Sequence, residues 1–216
     1  MTRFSPVAPG DPYRYGVYLR PDPRTCMAVT RITTHVRAQF GLVSAGAFPP
    51  HATLVGSEHL GRDEDTIVDA VTKALVPLTA FPVVNQGIRR PGRGVIFDVH
   101  HLADGAPNTS FVELAAAVDA AVASLRIPAA DPEPNRFDPA TFRAHLSLAS
   151  HDLYERPELG DEVEEFVRGL GVEAPAMFPG DTVDLYRTCA DDWSGRWWHT
   201  LTWEHLHTWR LPAPTP

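Results

Sequence analysis

Hydrophobic and polar positions along the chain switch repeatedly between two periods. Residues 13–20, YRYGVYLR, predict a first strand that is ended by PDPR, where two prolines forbid further ladder bonding. Residues 24–41 carry Met27, Ile32, Val36 and Phe40 at helix-compatible intervals, with Gly41 as a C-terminal stop. The run HATLVGS (51–57) alternates as a half-buried strand does. Residues 62–78 read as a second helix whose acidic residues sit in the first turn, where the helix dipole favours them. Two strands joined by a Gly/Arg/Pro loop follow over 80–102, and then an alanine-rich helix over 108–127. In that helix Ser110 stands three before Glu113, a capping-box signal.

The proline-rich stretch 127–142 interrupts the pattern and reads as a connector. Beyond it come the strand RAHLSLAS, an acidic helix near 157–170 closed by Gly171, and two terminal strands over 181–189 and 198–211. The polar segment ADDWSGRW reads as the turn between those strands. The alternation of strands and helices predicts an α+β or α/β fold. The second part of the chain also repeats the first. GVYLRPDP (16–23) and GVIFDVHH (94–101) both open on Gly-Val, and each precedes a helix and then a strand bearing His-x-Thr or His-x-Ser. The 35 residues from Gly16 to His51 become 51 between Gly94 and His145, the excess falling largely in the connector. A period this long suits an internal duplication into two lobes rather than a solenoid.

Composition narrows the function. With 44% hydrophobic and 21% charged residues the chain reads as a globular domain spanning 1–216. A formal net charge of −8 argues against wrapping a long duplex nucleic acid, though a local cluster can still hold a small phosphorylated ligand. The two cysteines, Cys26 and Cys189, make no disulfide framework or zinc ribbon. No run approaches the ~18 apolar residues of a membrane span, and the start lacks a signal-peptide core. A monomer in the cytoplasm, with no membrane partner, is expected.

The repeated motif carries the chemistry. Residues i and i+2 of a strand share a face, so His51 and Thr53 look one way while Ala52 and Leu54 look into the core. His145 and Ser147 share a face in the same manner, with Leu146 and Leu148 turned inward. If a pseudo-two-fold axis relates the copies, the four polar groups converge on one small ligand. A phosphodiester suits them. Two histidines can supply the base that activates water and the acid that protonates the departing oxygen, while the hydroxyls donate to the non-bridging oxygens. That chemistry requires no metal or other cofactor.

By the same alternation Arg143 shares the face of His145 and is a candidate for holding a phosphate. Tyr18 and Tyr186 are candidates for stacking on a base, and His151 for the cleft rim. His205 and His207 share a strand face on this pattern, which permits a metal reading. No nearby carboxylate or cysteine completes a ligand set, so packing against Trp203 and Trp209 is the preferred account.

HATL and HLSL, about 94 residues apart in a duplicated chain, resemble the paired H-x-[T/S]-x signatures of the two-histidine (2H) phosphoesterases. That superfamily includes the cyclic nucleotide phosphodiesterases and the so-called 2′–5′ RNA ligases. The segments YGVYLRPDP, AQFG and FPPHATLVG resemble the small cyclic phosphodiesterase branch most. The resemblance implies a bilobal α+β fold, two antiparallel sheets around a cleft, with His51, Thr53, His145 and Ser147 on its floor. It also implies hydrolysis of a nucleoside 2′,3′-cyclic phosphate or an ADP-ribose cyclic phosphate. RNA end processing, as a 2′–5′ ligase or phosphodiesterase aided by Arg89, Arg90 and Arg93, is the alternative within the fold. A non-catalytic nucleotide-binding module is the alternative outside enzymology.

Overall fold

Local chemistry sets the elements of the computed structural model, which describes residues 13–61, 63–127 and 137–214. Strand β1 (Tyr13–Leu19) stops where prolines begin, and Asp22 then caps helix α1 (Pro23–Phe40) by accepting from the Thr25 amide at 3.1 Å. Gly41 closes α1 in the left-handed region (φ 70°), its N–H on the Arg37 carbonyl at 2.9 Å. Strand β2 (Ala52–Glu58) and helix α2 (Glu64–Leu75) follow, α2 capped by Asp63. Next come β3 (Phe81–Val84), β4 (Ile88–Arg89) and β5 (Val95–Asp98), then α3 (Thr109–Val122) and β6 (His145–Ala149). The chain ends with α4 (His151–Tyr154), α5 (Gly160–Gly169), β7 (Met177–Gly180), β8 (Thr182–Cys189) and β9 (Thr202–Arg210).

The fold is α+β with antiparallel sheets. One sheet has the order β2-β1-β8-β9, another β4-β5-β6, and β3 pairs with β7 in a short ladder. The last two are nearly continuous. Gln86 N–H donates to the Asp98 carbonyl and Asp98 N–H to the Gly87 carbonyl, so β3 and β4 form one strand interrupted at Gly87, where φ is 85°. Strands β7 and β8 likewise form one strand interrupted at Asp181. The β3–β7 ladder therefore joins the two halves, and in its register Pro82 faces Pro179. Both belong to Phe-Pro pairs, Phe81-Pro82 and Phe178-Pro179.

The duplication is visible in the registers. Thr53 pairs across β1–β2 with Tyr18, two residues after Gly16, and Ser147 pairs across β5–β6 with Ile96, two residues after Gly94. The two Gly-Val openings are thus equivalent positions. Both glycines lie beneath tyrosine rings: a Cβ on Gly16 would stand 2.1 Å from the Tyr18 hydroxyl, and one on Gly94 3.1 Å from that of Tyr154. Helix α1 lies against β6 and α3 against β2, so each copy's helix backs the other copy's histidine strand. One apolar cluster runs through Val17, Ile32, Leu54, Phe111, Leu146 and Leu185.

One expectation changes here. The N-cap of α3 is Asn108, not Ser110, and its side chain donates to the Pro82 carbonyl at 2.9 Å instead of closing a capping box. Strand β7 and the short β4 have too few residues to show a period. Most of the 127–142 connector lies outside the described residues. Among the described residues no helix is long and apolar enough to cross a membrane.

Candidate active site

Strand β2 emerges from the loop 43–50 and strand β6 from the segment ending at Ala144, and the two approach each other. Between them lies a cleft of about 340 Å³. Its lining includes His51 and Thr53 from the first copy and His145 and Ser147 from the second. Core-facing Ala52, Leu54, Leu146 and Leu148 are buried, as strand alternation requires.

Both imidazoles are held in the same way. The Nδ1 of His51 lies 2.7 Å from the Pro49 carbonyl, and the Nδ1 of His145 lies 2.8 Å from the Arg143 carbonyl. A carbonyl can only accept, so in each ring Nδ1 carries the hydrogen. Nε2 is then left without a proton in the neutral form and with one in the charged form. The carbonyl is two residues upstream in both copies, so the same backbone device sets both tautomers. Among the described residues neither the Thr53 nor the Ser147 hydroxyl has a hydrogen-bond partner. By contrast Ser57, also in the lining, bonds Tyr18 and Thr188 at 3.1 Å each.

The surroundings of the two rings differ. Tyr18 packs edge-on to His51 at 4.6 Å between centroids and Phe48 at 4.9 Å. Removal from water in this box pushes the His51 pKa down to about 4; the Pro49 bond opposes the shift and the His145 charge adds to it. Burial pushes the Tyr18 phenol up to about 12, so it stays protonated and can donate. Phe48 is itself braced by Tyr186 at 5.0 Å and Trp203 at 6.0 Å.

A carboxylate pins this box to the second copy. Asp152, just past β6, accepts from the Ser44 amide at 2.8 Å, the Ser44 hydroxyl at 2.5 Å, the Leu153 amide at 3.1 Å and the Val43 amide. Ser150 bonds Ser44 at 3.0 Å. The loop that delivers His51 is therefore fastened to the turn that follows His145. At one margin of the cleft stand His151, Tyr154, Trp193 and Trp197, with His151 packed on Trp197 at 4.9 Å. Burial lowers the His151 pKa.

Of the sequence candidates, His51, Thr53, His145, Ser147, Tyr18 and His151 line the cleft. Arg143 and Tyr186 do not. Strand β6 begins at His145, so alternation does not extend back to Arg143, whose guanidinium donates to the Ala140 carbonyl at 3.2 Å and the Phe142 carbonyl at 2.6 Å. Tyr186 stands behind Phe48 and donates to Asp184 at 3.3 Å. Asp184 is fully buried and also holds Arg20 at 3.1 Å and Thr208 at 2.6 Å. Arg90 is paired with Asp161 and Glu164 of α5.

His205 and His207 do not share a face. The register passes from Leu185–His207 to Tyr186–His205, so a bulge at Leu206 turns His205 toward Tyr186 and His207 toward Trp209. Among the described residues no group of three metal-ligating side chains occurs.

The pattern missed Phe48, Ser44 and Asp152, all of them loop or turn residues. The only sequence signal for Phe48 is an aromatic three residues before the motif histidine.

The sequence matches no family model and no curated protein. Solved structures do match. TT0787 of Thermus thermophilus aligns over 94% of this chain and 100% of its own, at 14% identity and a TM-score of 0.50. E. coli LigT complexed with 3′-AMP aligns over 94% and 99%, at 15% identity and 0.48. A structure described as a phosphoesterase aligns over 93% and 99%, at 15% identity and 0.49. At such identities the likeness is one of fold. The α+β fold expected from the sequence is met at that level.

Proposed function

We propose that this protein is a phosphodiesterase that opens a cyclic phosphate by two-histidine acid–base catalysis. The observation that carries the reading is the matched tethering of His51 and His145, each Nδ1 on the carbonyl two residues upstream. Two Nε2 atoms on one cleft are what in-line displacement at phosphorus needs, one taking a proton and one giving it.

Aromatic enclosure favours the neutral form of His51, which makes it the base. Its Nε2 takes a proton from water as the water oxygen bonds to phosphorus. The bond from phosphorus to the leaving sugar oxygen breaks, and that oxygen takes the proton from Nε2 of His145. The free hydroxyls of Thr53 and Ser147 donate to the non-bridging oxygens as charge builds there. The product is an open phosphate monoester, and a second proton exchange with water resets both rings.

Hydrolysis of nucleoside 2′,3′-cyclic phosphates in the presence of EDTA tests this reading. Turnover that is lost in both His51→Ala and His145→Ala, with circular dichroism unchanged, is the expected result. Full activity in either variant, or saturable nucleotide binding without product, overturns it.

A further inference from the structure

The two motif histidines share a second spacing. Seven residues beyond His51 stands Glu58, and seven beyond His145 stands Asp152. Both carboxylates are buried, and each bonds the segment that leaves the other copy's helix. Glu58 accepts from Arg126, just past α3, while Asp152 accepts from Val43 and Ser44, just past α1. The molecule is cross-clamped: the acid that follows one histidine holds the segment that leads to the other.

The two clamps differ in what depends on them. At Glu58 the backbone is already laced, since Gly61 donates to the Leu125 carbonyl at 2.8 Å and Ile127 to the His59 carbonyl at 3.0 Å. Arg126 is also paired with Asp119, and it stands 19 positions ahead of His145. At Asp152 the carboxylate is itself the fastening. One oxygen takes the Val43 and Ser44 amides, and the other takes the Ser44 hydroxyl at 2.5 Å and the Leu153 amide at 3.1 Å. Among the described residues neither loop amide has another acceptor, and no cationic side chain pairs with this carboxylate.

From Ser44 the chain reaches His51 in seven residues, and these include both groups that set its ring. Phe48 packs on the imidazole at 4.9 Å, and the Pro49 carbonyl lies 2.7 Å from Nδ1. Ser44, Ser150 and His151 line the cleft and Asp152 does not, so the carboxylate acts through the loop without touching substrate.

We propose that Asp152 is a positioning residue: it sets where the His51 imidazole stands relative to His145 by fixing the loop that carries Phe48 and Pro49. The inference rests on the phosphodiesterase reading for its kinetic consequence.

The test pairs Asp152→Asn with Glu58→Gln. Each replaces a buried carboxylate by its amide, so a loss caused by destabilisation alone would fall on both. Asp152→Asn leaves one oxygen to accept, and its new NH2 group must face donors on the other side. On a 2′,3′-cyclic nucleotide its kcat is expected to fall on the order of 10²-fold with KM little changed, the effect of a misplacement of about 1 Å. Glu58→Gln should keep the parental kcat. An NMR titration gives a readout independent of turnover. In Asp152→Asn the His51 pKa should rise toward ~6.5, because a displaced ring leaves the box of Tyr18 and Phe48 and regains water. Loss of the carboxylate charge alone would lower it, so the sign separates position from electrostatics.

Equal kcat losses in the two variants, or a His51 pKa unmoved or lowered in Asp152→Asn, overturn the assignment. If Asp152→Asn does not fold, Ser44→Ala takes its place, deleting one hydroxyl of the clamp and keeping the carboxylate. A lower kcat with a raised His51 pKa then supports the clamp, and parental values overturn it. If the parent turns over no cyclic nucleotide, the phosphodiesterase reading has failed by itself, and the titration alone decides the clamp.

Discussion

The two copies of the strand–helix–strand unit use one backbone plan with different side chains around it. Thr53 faces Tyr18 in the first and Ser147 faces Ile96 in the second, at equivalent registers. An aromatic phenol therefore leans over one motif where an aliphatic chain stands in the other. The first histidine lies between Tyr18 and Phe48; among the described residues no aromatic ring packs on the second. The lesson is a division of labour. Duplication supplies two imidazoles with the same tautomer, and the neighbours break their equivalence. One ring is biased toward the neutral state, which in the proposed reaction leaves proton donation to the other.

The most severe way to break the comparison is to remove either ring. His51→Ala and His145→Ala are each expected to lower kcat by about 10²–10⁴-fold. The double variant should be little worse than either single one, because the two act in one step. Steady-state rates on a 2′,3′-cyclic nucleotide measure this. Removing the hydroxyls comes next: Thr53→Val and Ser147→Ala should each cost on the order of 10²-fold in kcat with smaller changes in KM.

The equivalent glycines provide an intermediate test. In Gly16→Ala the new methyl would stand 2.1 Å from the Tyr18 hydroxyl and must displace the ring, whereas in Gly94→Ala the closest approaches are 3.1 Å. Thermal denaturation should show a larger loss for Gly16→Ala, on the order of 1–3 kcal/mol. Only that variant should also disturb the box around His51.

The subtlest test concerns pH. Because burial holds the His51 pKa near 4, the acid limb of kcat/KM should fall well below the ~6.5 of an ordinary histidine. Tyr18→Ile, which gives the first copy the side chain of the second, should raise that limb by about one pH unit. The same lowered value has a consequence for folding. As pH falls through ~6.5 the unfolded chain takes up the proton first, so the stability contributed by neutral His51 is complete above that pH and erodes toward 4. Denaturant midpoints across that window should decline less in His51→Gln.

Much of this arrangement was legible in the chain. His145 and Ser147 could be placed on a shared face because alternation holds within β6, and His51 joins Thr53 because it stands only one residue ahead of β2. The Gly-Val openings aligned the copies because each glycine lies beneath a ring. Features that depend on irregular backbone could not be read. Arg143 precedes its strand, so no period governs its direction. The bulge at Leu206 adds one residue and separates His205 from His207, which sequence spacing alone placed together. Trp193 and Trp197 sit in a segment whose polar residues read only as a turn. Asp152 and Ser44 meet across 108 residues, a separation that no local pattern encodes.

The strand order has a consequence for how the molecule is made. Its four-stranded sheet takes β2 and β1 from residues 13–58 and β8 and β9 from residues 182–210. A nascent polypeptide leaving the ribosome thus carries His51 beside a two-stranded ribbon with an open edge until residues 182–210 have been made. Closure then requires β1 to find β8 across all the intervening residues, a slow kind of event because the pairing is so far from local. A product shortened ahead of residue 182 would keep both motifs and still lack the scaffold that holds the first one in place.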